Sequence, residues 1–187
     1  MLLQNILPFT HDLLRAHIRA GDTVLDGTAG NGHDTLLLAQ CVGEGGKVWV
    51  FDVQEQALAA TAKRLQDEAV QANVEYVHAG HETLGDYVRE PLAAAVFNFG
   101  WLPGGDKSIT TQADTSIRAL NAALTLLKKG GLLAAVVYPG HEAGAHEASA
   151  IERWTQTLPQ QQYAVLKYGF INRQNRPPYL LAIEKLS

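Results

Sequence analysis

Val24-Leu25-Asp26-Gly27-Thr28-Ala29-Gly30-Asn31-Gly32-His33-Asp34-Thr35 is the stretch that decides the fold. Apolar residues run into an acid, then a glycine-rich turn, then polar residues that open a helix. Such a strand–turn–helix unit lets backbone N–H groups and a helix N-terminus approach a ligand closely. The acid at its head favours a ligand that brings hydroxyl or ammonium donors and repels a bare pyrophosphate.

Outward from this unit the alternation of strand and helix repeats. Thr10 is placed to cap a first helix with Leu13, Leu14 and Ile18 on one face, broken by Gly21-Asp22. The pattern then predicts a buried strand over 23–26, a helix over 33–41, a strand over 47–52 and a helix over 55–70. Strands over 74–78 and 92–97 and a helix over 112–127 follow, the last stopped by Lys128-Lys129-Gly130-Gly131. A strand over 132–138 and a helix over 143–158, bounded by Pro159, complete the alternation. Two final strands, 163–170 and 179–184, have no helix between them and are therefore expected to be antiparallel, since a parallel crossover needs a dozen or more residues. The expected architecture is one α/β domain over 1–187: a Rossmann-like, doubly wound, seven-stranded sheet, mostly parallel, with an antiparallel C-terminal pair and helices on both faces. Asp26, Asp52, His78-Ala79-Gly80, Asn98 and Tyr138-Pro139-Gly140 each follow their strands, at the ends where such sheets bind ligands.

A chain of 187 residues that is 47% apolar and 18% charged fits one soluble domain with a real core. No apolar run approaches the roughly 20 residues of a bilayer span, and Met1-Leu2-Leu3-Gln4-Asn5 lacks the basic start of a secretory signal. With Cys41 the single cysteine, a reducing cytoplasm is the expected compartment. The net charge of −4 is unevenly spread: residues 1–114 carry 15 acids and 7 bases, residues 115–187 carry 4 acids and 8 bases. Arg153, Lys167, Arg173 and Arg176 lie in a stretch without a single acid, so a basic face for a polyanion is compatible with the acidic total.

The first turn separates two cofactor classes. A dinucleotide fingerprint needs G-x-G-x-x-G, yet Gly30 and Gly32 are followed by Thr35. An acid at position 26 precedes the glycines, which suits S-adenosylmethionine better than a dinucleotide. Asp52, 20 residues after Gly32, suits ribose hydroxyls in either class. The expected cofactor residues are Asp26, Thr28, Gly30, Asn31, Gly32, His33, Asp34, Asp52 and Gln54, with His81 and Asn98 at the edge.

On the acceptor side, Asn98-Phe99-Gly100-Trp101 is close to the N/D-P-P-aromatic pattern of amino-group methyltransferases, with glycine in place of the second proline. In that chemistry the Asn oxygen and a backbone carbonyl, here at Gly100, accept hydrogen bonds from the target nitrogen and aim its lone pair, while an aromatic stacks on the base. Leu102-Pro103-Gly104-Gly105-Asp106-Lys107 extends the loop, and Asp106 is placed to hold or take a proton from an alkylammonium acceptor. The expected acceptor surface comprises Trp101, Leu102, Pro103, Gly104, Lys107, Tyr138 and His141, with Asn172, Arg173, Arg176 and Pro177 from the loop before the last strand. His141 and His146 are five apart, one residue too far for the H-E-x-x-H zinc arrangement, so no metal is expected.

These strings, together with Phe51-Asp52-Val53-Gln54, Tyr138-Pro139-Gly140-His141 and the Asn172 to Pro178 loop, resemble over essentially the whole chain a group of class I methyltransferases long labelled rRNA methylases. Its members are understood as tRNA 5-aminomethyl-2-thiouridine methyltransferases. The resemblance differs at Gly27, where members often carry alanine. It implies methylation of the aminomethyl nitrogen of a wobble uridine, S-adenosylmethionine as donor and the tRNA anticodon arm as partner; it leaves a homodimer open. Two alternatives stand beside it: a methyltransferase for rRNA or a small-molecule amine, and a binding module without catalysis.

Overall fold

Leu92–Asn98, the sequence LAAAVFN, has no polar residue before its last, and a strand apolar on both faces belongs in the middle of a covered sheet. A computed structural model, which describes residues 2–101, 104 and 110–187, places it there. Among the described residues the strands are β1 (Thr23–Asp26), β2 (Lys47–Asp52), β3 (Asn73–His78), β4 (Leu92–Asn98), β5 (Leu127–Val137), β6 (Tyr163–Tyr168) and β7 (Tyr179–Lys185), ordered β3-β2-β1-β4-β5-β7-β6. The first five pair in parallel, and β7 joins β5 and β6 antiparallel. Strand order reverses between β1 and β4, so a crevice opens beyond Asp26 and Asn98, the usual ligand position of this architecture.

Alternation along the strands divides the core into two layers. Leu25, Phe97, Leu133 and Ile183 face α4 (Leu84–Tyr87), α5 (Ala113–Leu126) and α6 (Glu142–Thr155). Val24, Val96, Ala134 and Leu180 face α1 (Ile6–His17), α2 (His33–Val42) and α3 (Glu55–Asp67).

The departures from expectation are local. Helix α1 starts a turn earlier than Thr10, with Asn5 before its first residue; Thr10 lies inside, its hydroxyl donating to the Ile6 carbonyl at 2.9 Å. Helix α3 ends at Asp67 rather than Val70, and Ala69 takes a left-handed φ of 50°. Lys128-Lys129-Gly130-Gly131 does not separate α5 from β5. Leu127 already pairs with Leu92, the register shifts, and pairing resumes at Leu132 with Ala94. Gly130, at φ 75°, closes this outward loop of the strand. The short helix α4 after β3 carries too few residues to show a period. No helix of the described residues is long and apolar enough to cross a membrane.

Candidate active site

The crevice is a cleft of about 1020 Å³, at the upper end of the roughly 300–1,000 Å³ usual for small-molecule sites. Its floor is the turn between β1 and α2. Asp26 does not face it: the side chain is fully buried beneath the turn, accepting from the Thr28 amide at 3.0 Å and the Thr35 hydroxyl at 2.6 Å. Burial, reinforced by the nearby Asp34 carboxylate, pushes Asp26 up to about 7. Gly32 also lies off the cleft wall; at φ 77°, a Cβ there would come within 2.8 Å of the Thr61 Cα. Both residues therefore shape the turn, while Thr28, Gly30, Asn31, His33 and Asp34 line the cleft.

Asp52, at the end of β2, accepts from the Gly30 amide at 3.0 Å on one oxygen and from the Gln54 amide at 2.9 Å on the other. Each oxygen keeps a lone pair, and both Asp52 and Gln54 line the cleft. His81 packs edge-on against Phe97 and Phe99, and its buried Nε2 has no partner among the described residues. Burial lowers the tendency of this ring to charge, against the pull of Glu82. A neutral, orphaned ring nitrogen in the wall and a carboxylate with spare lone pairs fit a nucleoside-bearing ligand.

Asn98 stands at the end of β4. Its backbone N–H donates to the Thr28 hydroxyl at 2.7 Å, tying the end of β4 to the first turn. Its side-chain NH2 donates to Asp34, whose other oxygen meets His11 Nε2 at 2.6 Å. The Asn98 oxygen is thereby turned the other way, accepting from the Tyr138 hydroxyl at 3.2 Å. Burial, then the Asp34 charge, pushes the Tyr138 phenol up to about 12, so it remains a donor.

The next residues are held from below. The Gly100 amide donates to the Thr111 hydroxyl at 2.8 Å, and that hydroxyl donates to Glu147 at 2.9 Å; Ser116 donates to the other Glu147 oxygen at 2.6 Å. Glu147 is buried, and desolvation raises its pKa against those two hydrogen bonds. Trp101 pairs with Thr110 as an isolated bridge and lies against His141, ring centroids 4.3 Å apart. His141 also caps α6, its Nδ1 accepting from the Gly144 amide at 3.0 Å. Leu102, Pro103, Asp106 and Lys107 lie outside the described residues; Gly104 is described but does not line the cleft.

The loop before β7 divides its predicted residues. Arg176 and Pro177 line the cleft. Asn172 and Arg173 do not; Arg173 donates to Asn5 at 2.9 Å and stacks on Phe170. Sequence reasoning missed His11, Thr111 and Glu147. A retrievable signal for His11 was its place four residues after Leu7, on one helix face with it, and both side chains line the cleft.

A family model described as “Putative rRNA methylase” matches residues 48–184. The “tRNA (mnm(5)s(2)U34)-methyltransferase, chloroplastic” of Arabidopsis thaliana is 39% identical over 171 residues, covering 86% of this chain and 62% of the relative. The chain thus spans less than two thirds of that relative's length. A crystal structure described as a putative rRNA-methylase from Clostridium thermocellum superposes with a TM-score of 0.96 at 40% identity, covering 98% of both chains. SMU.1697c, described as a putative methyltransferase from Streptococcus mutans in complex with SAH, gives a TM-score of 0.90 at 37% identity, covering 98% of this chain and 99% of that one.

Proposed function

We infer that this chain, which belongs to the family described as “Putative rRNA methylase”, is an S-adenosylmethionine-dependent N-methyltransferase of tRNA. Its acceptor is the aminomethyl nitrogen of 5-aminomethyl-2-thiouridine at the wobble position, and its product the methylaminomethyl nucleoside. One observation carries this: a single cleft is lined both by the Asp52 carboxylate and by an Asn98 amide whose oxygen is turned away from Asp34 by the hydrogen bond its NH2 makes there. The SAH complex of the Streptococcus mutans relative supports the donor, and the name of the Arabidopsis relative supports the acceptor.

Asp52 holds the ribose hydroxyls on its spare lone pairs, and the Gly30-Asn31 backbone forms the floor beneath the donor. The bound cofactor supplies an electrophilic methyl group on a sulfonium, so the protein's work is alignment and exclusion of water. Asn98 accepts an N–H of the target amine on its oxygen, with the Tyr138 hydroxyl fixing that oxygen from the far side. The Trp101–His141 pair offers the uracil ring an aromatic surface, and Arg176 meets a flanking phosphate.

The deciding experiment is nucleoside mass spectrometry of tRNA and rRNA from a strain lacking the gene. Accumulation of 5-aminomethyl-2-thiouridine, removed by purified protein and S-adenosylmethionine, is the expected result. Unchanged tRNA with a methyl group missing from rRNA would refute the acceptor.

A further inference from the structure

We propose that His11 is the proton acceptor of the reaction, held in its accepting tautomer by Asp34. This rests on the methyl-transfer function above. An alkyl amine resembles a lysine side chain, protonated below about pH 10, and an ammonium has no lone pair to give. Some group in the cleft must therefore take a proton before the nitrogen can act as a nucleophile.

Of the histidines that line the cleft, His11 is the one joined through Asp34 to the Asn98 amide. His11 lines the cleft from α1, and its Nε2 lies 2.6 Å from an Asp34 oxygen. A carboxylate can only accept, so Nε2 carries the hydrogen and Nδ1 keeps its lone pair. Nδ1 has no hydrogen-bond partner among the described residues. Asp34 is a poorer acceptor, because one of its oxygens is already given to His11 and the other to the Asn98 amide. That same amide presents its oxygen to the target nitrogen, so Asp34 links the group that aligns the amine to the group that deprotonates it. The charged and titratable groups that line the cleft with His11 are His33 and Asp34 from α2, Asp52 at the end of β2, His81 and Glu82 after β3, Tyr138 and His141 after β5, and Arg176 from the loop before β7. Of these, Asp34 alone is hydrogen-bonded to the ring.

The step is balanced by one proton transfer. An N–H bond of the ammonium breaks, its electron pair stays on nitrogen, and the proton binds Nδ1. The resulting imidazolium is stabilised by Asp34 and returns its proton to water at the cleft mouth, since the His11 side chain is 23% exposed.

The test is single-turnover methyl transfer to tRNA bearing 5-aminomethyl-2-thiouridine, for wild type, His11→Gln and His11→Asn, from pH 7 to pH 9.5. Glutamine and asparagine can donate to Asp34 but cannot take a proton. Both variants should lose about 100-fold or more at pH 7, the usual scale of general-base catalysis. The deficit should shrink as rising pH supplies neutral amine from solution. S-adenosylhomocysteine affinity by calorimetry should match wild type, which also reports that the variants are folded. Full activity of either variant at pH 7, a deficit that is the same at every pH, or lost cofactor-product affinity would overturn the proposal. Failure of the wild-type protein to methylate this tRNA would instead bring down the function on which it stands, and the proposal with it.

Discussion

Replacing Asp26 by asparagine should make the protein more stable at alkaline than at acidic pH relative to wild type. Asp26 is fully buried under the first turn, and its carboxyl is pushed from 3.8 to about 7, first by desolvation and then by the Asp34 charge. Between those two values the folded chain binds a proton that the unfolded chain has released. Stability from this group is therefore whole below pH 3.8 and drains away as pH rises through 7. At about 1.36 kcal/mol per unit, a shift of roughly three units amounts to about 4 kcal/mol over the whole window. Between pH 5 and pH 8 about 2–3 kcal/mol of this is lost. Asparagine keeps an acceptor for the Thr28 amide, its NH2 meets the Thr35 hydroxyl as donor to acceptor, and it never ionises. Urea unfolding of both proteins at unit steps from pH 5 to pH 8 should show the stability difference moving in favour of Asp26→Asn by about that amount. In thermal melts this is about 5–10 °C for a chain of this size. Parallel stability curves for the two proteins would refute the claim that burial dominates the Asp26 environment.

Asp52→Ala should weaken S-adenosylhomocysteine binding by about 10- to 150-fold, the loss of about 1.5–3 kcal/mol for hydrogen bonds to a charged group; unchanged affinity by calorimetry would remove Asp52 from the cofactor site. Charge reversal at Arg176, which lines the cleft, should weaken tRNA binding and flatten its salt dependence. The same change at Arg173, occupied by Asn5 and Phe170, should cost stability more than tRNA affinity, and equal losses of tRNA binding would contradict that division. Glu147→Ala strands the Ser116 and Thr111 hydroxyls and should destabilise by about 2–4 kcal/mol, whereas Glu147→Gln, which keeps one acceptor, should lose less. Thermal melts check the order, and an alanine variant as stable as wild type would show that the Gly100 segment does not depend on this carboxylate.

The middle of the sheet was legible in the sequence because β1, β2, β4 and the second half of β5 are short apolar runs closed or followed by a polar residue, and three of those closures, Asp52, Asn98 and Tyr138, line the cleft. LAAAVFN ending in Asn98 and KVWVFD ending in Asp52 needed no tertiary knowledge to place. Helix starts were less legible, because Thr10 has the chemistry of a cap but lies on the buried face of α1, where its hydroxyl is satisfied by the Ile6 carbonyl. The Gly27 position is intelligible only in three dimensions. A Cβ there would meet the Phe97 ring at 2.1 Å, so the glycine is the partner of an aromatic 70 residues away in β4. A chain with alanine at that place must carry a smaller or displaced side chain opposite it. Glu147 was invisible for the same reason: it supports Gly100 through Thr111, and nothing in the spacing of 100, 111 and 147 marks them as neighbours.

The two acids of the opening stretch illustrate how far local pattern reaches. Asp26 and Asp34 are eight residues apart on either side of a glycine turn, and composition treats them alike. The strand ending directs Asp26 downward, between the Thr28 amide and the Thr35 hydroxyl, where its cost of burial is offset by fixing the turn. One residue into α2, Asp34 emerges on the cleft side and meets Asn98 from β4 and His11 from α1, with Tyr138 from the end of β5 on the far side of the Asn98 amide. The acid that shapes the floor and the acid that holds Asn98 and His11 are therefore different residues of one motif. Their separation follows from topology, since only at the reversal of strand order do the ends of β1 and β4 leave a gap that a helix N-terminus can enter. Through Asp34 the first turn is joined to residues 11 and 98, and through the Asn98 amide to Tyr138, which makes it continuous with the side of the cleft where the proposed acceptor would lie.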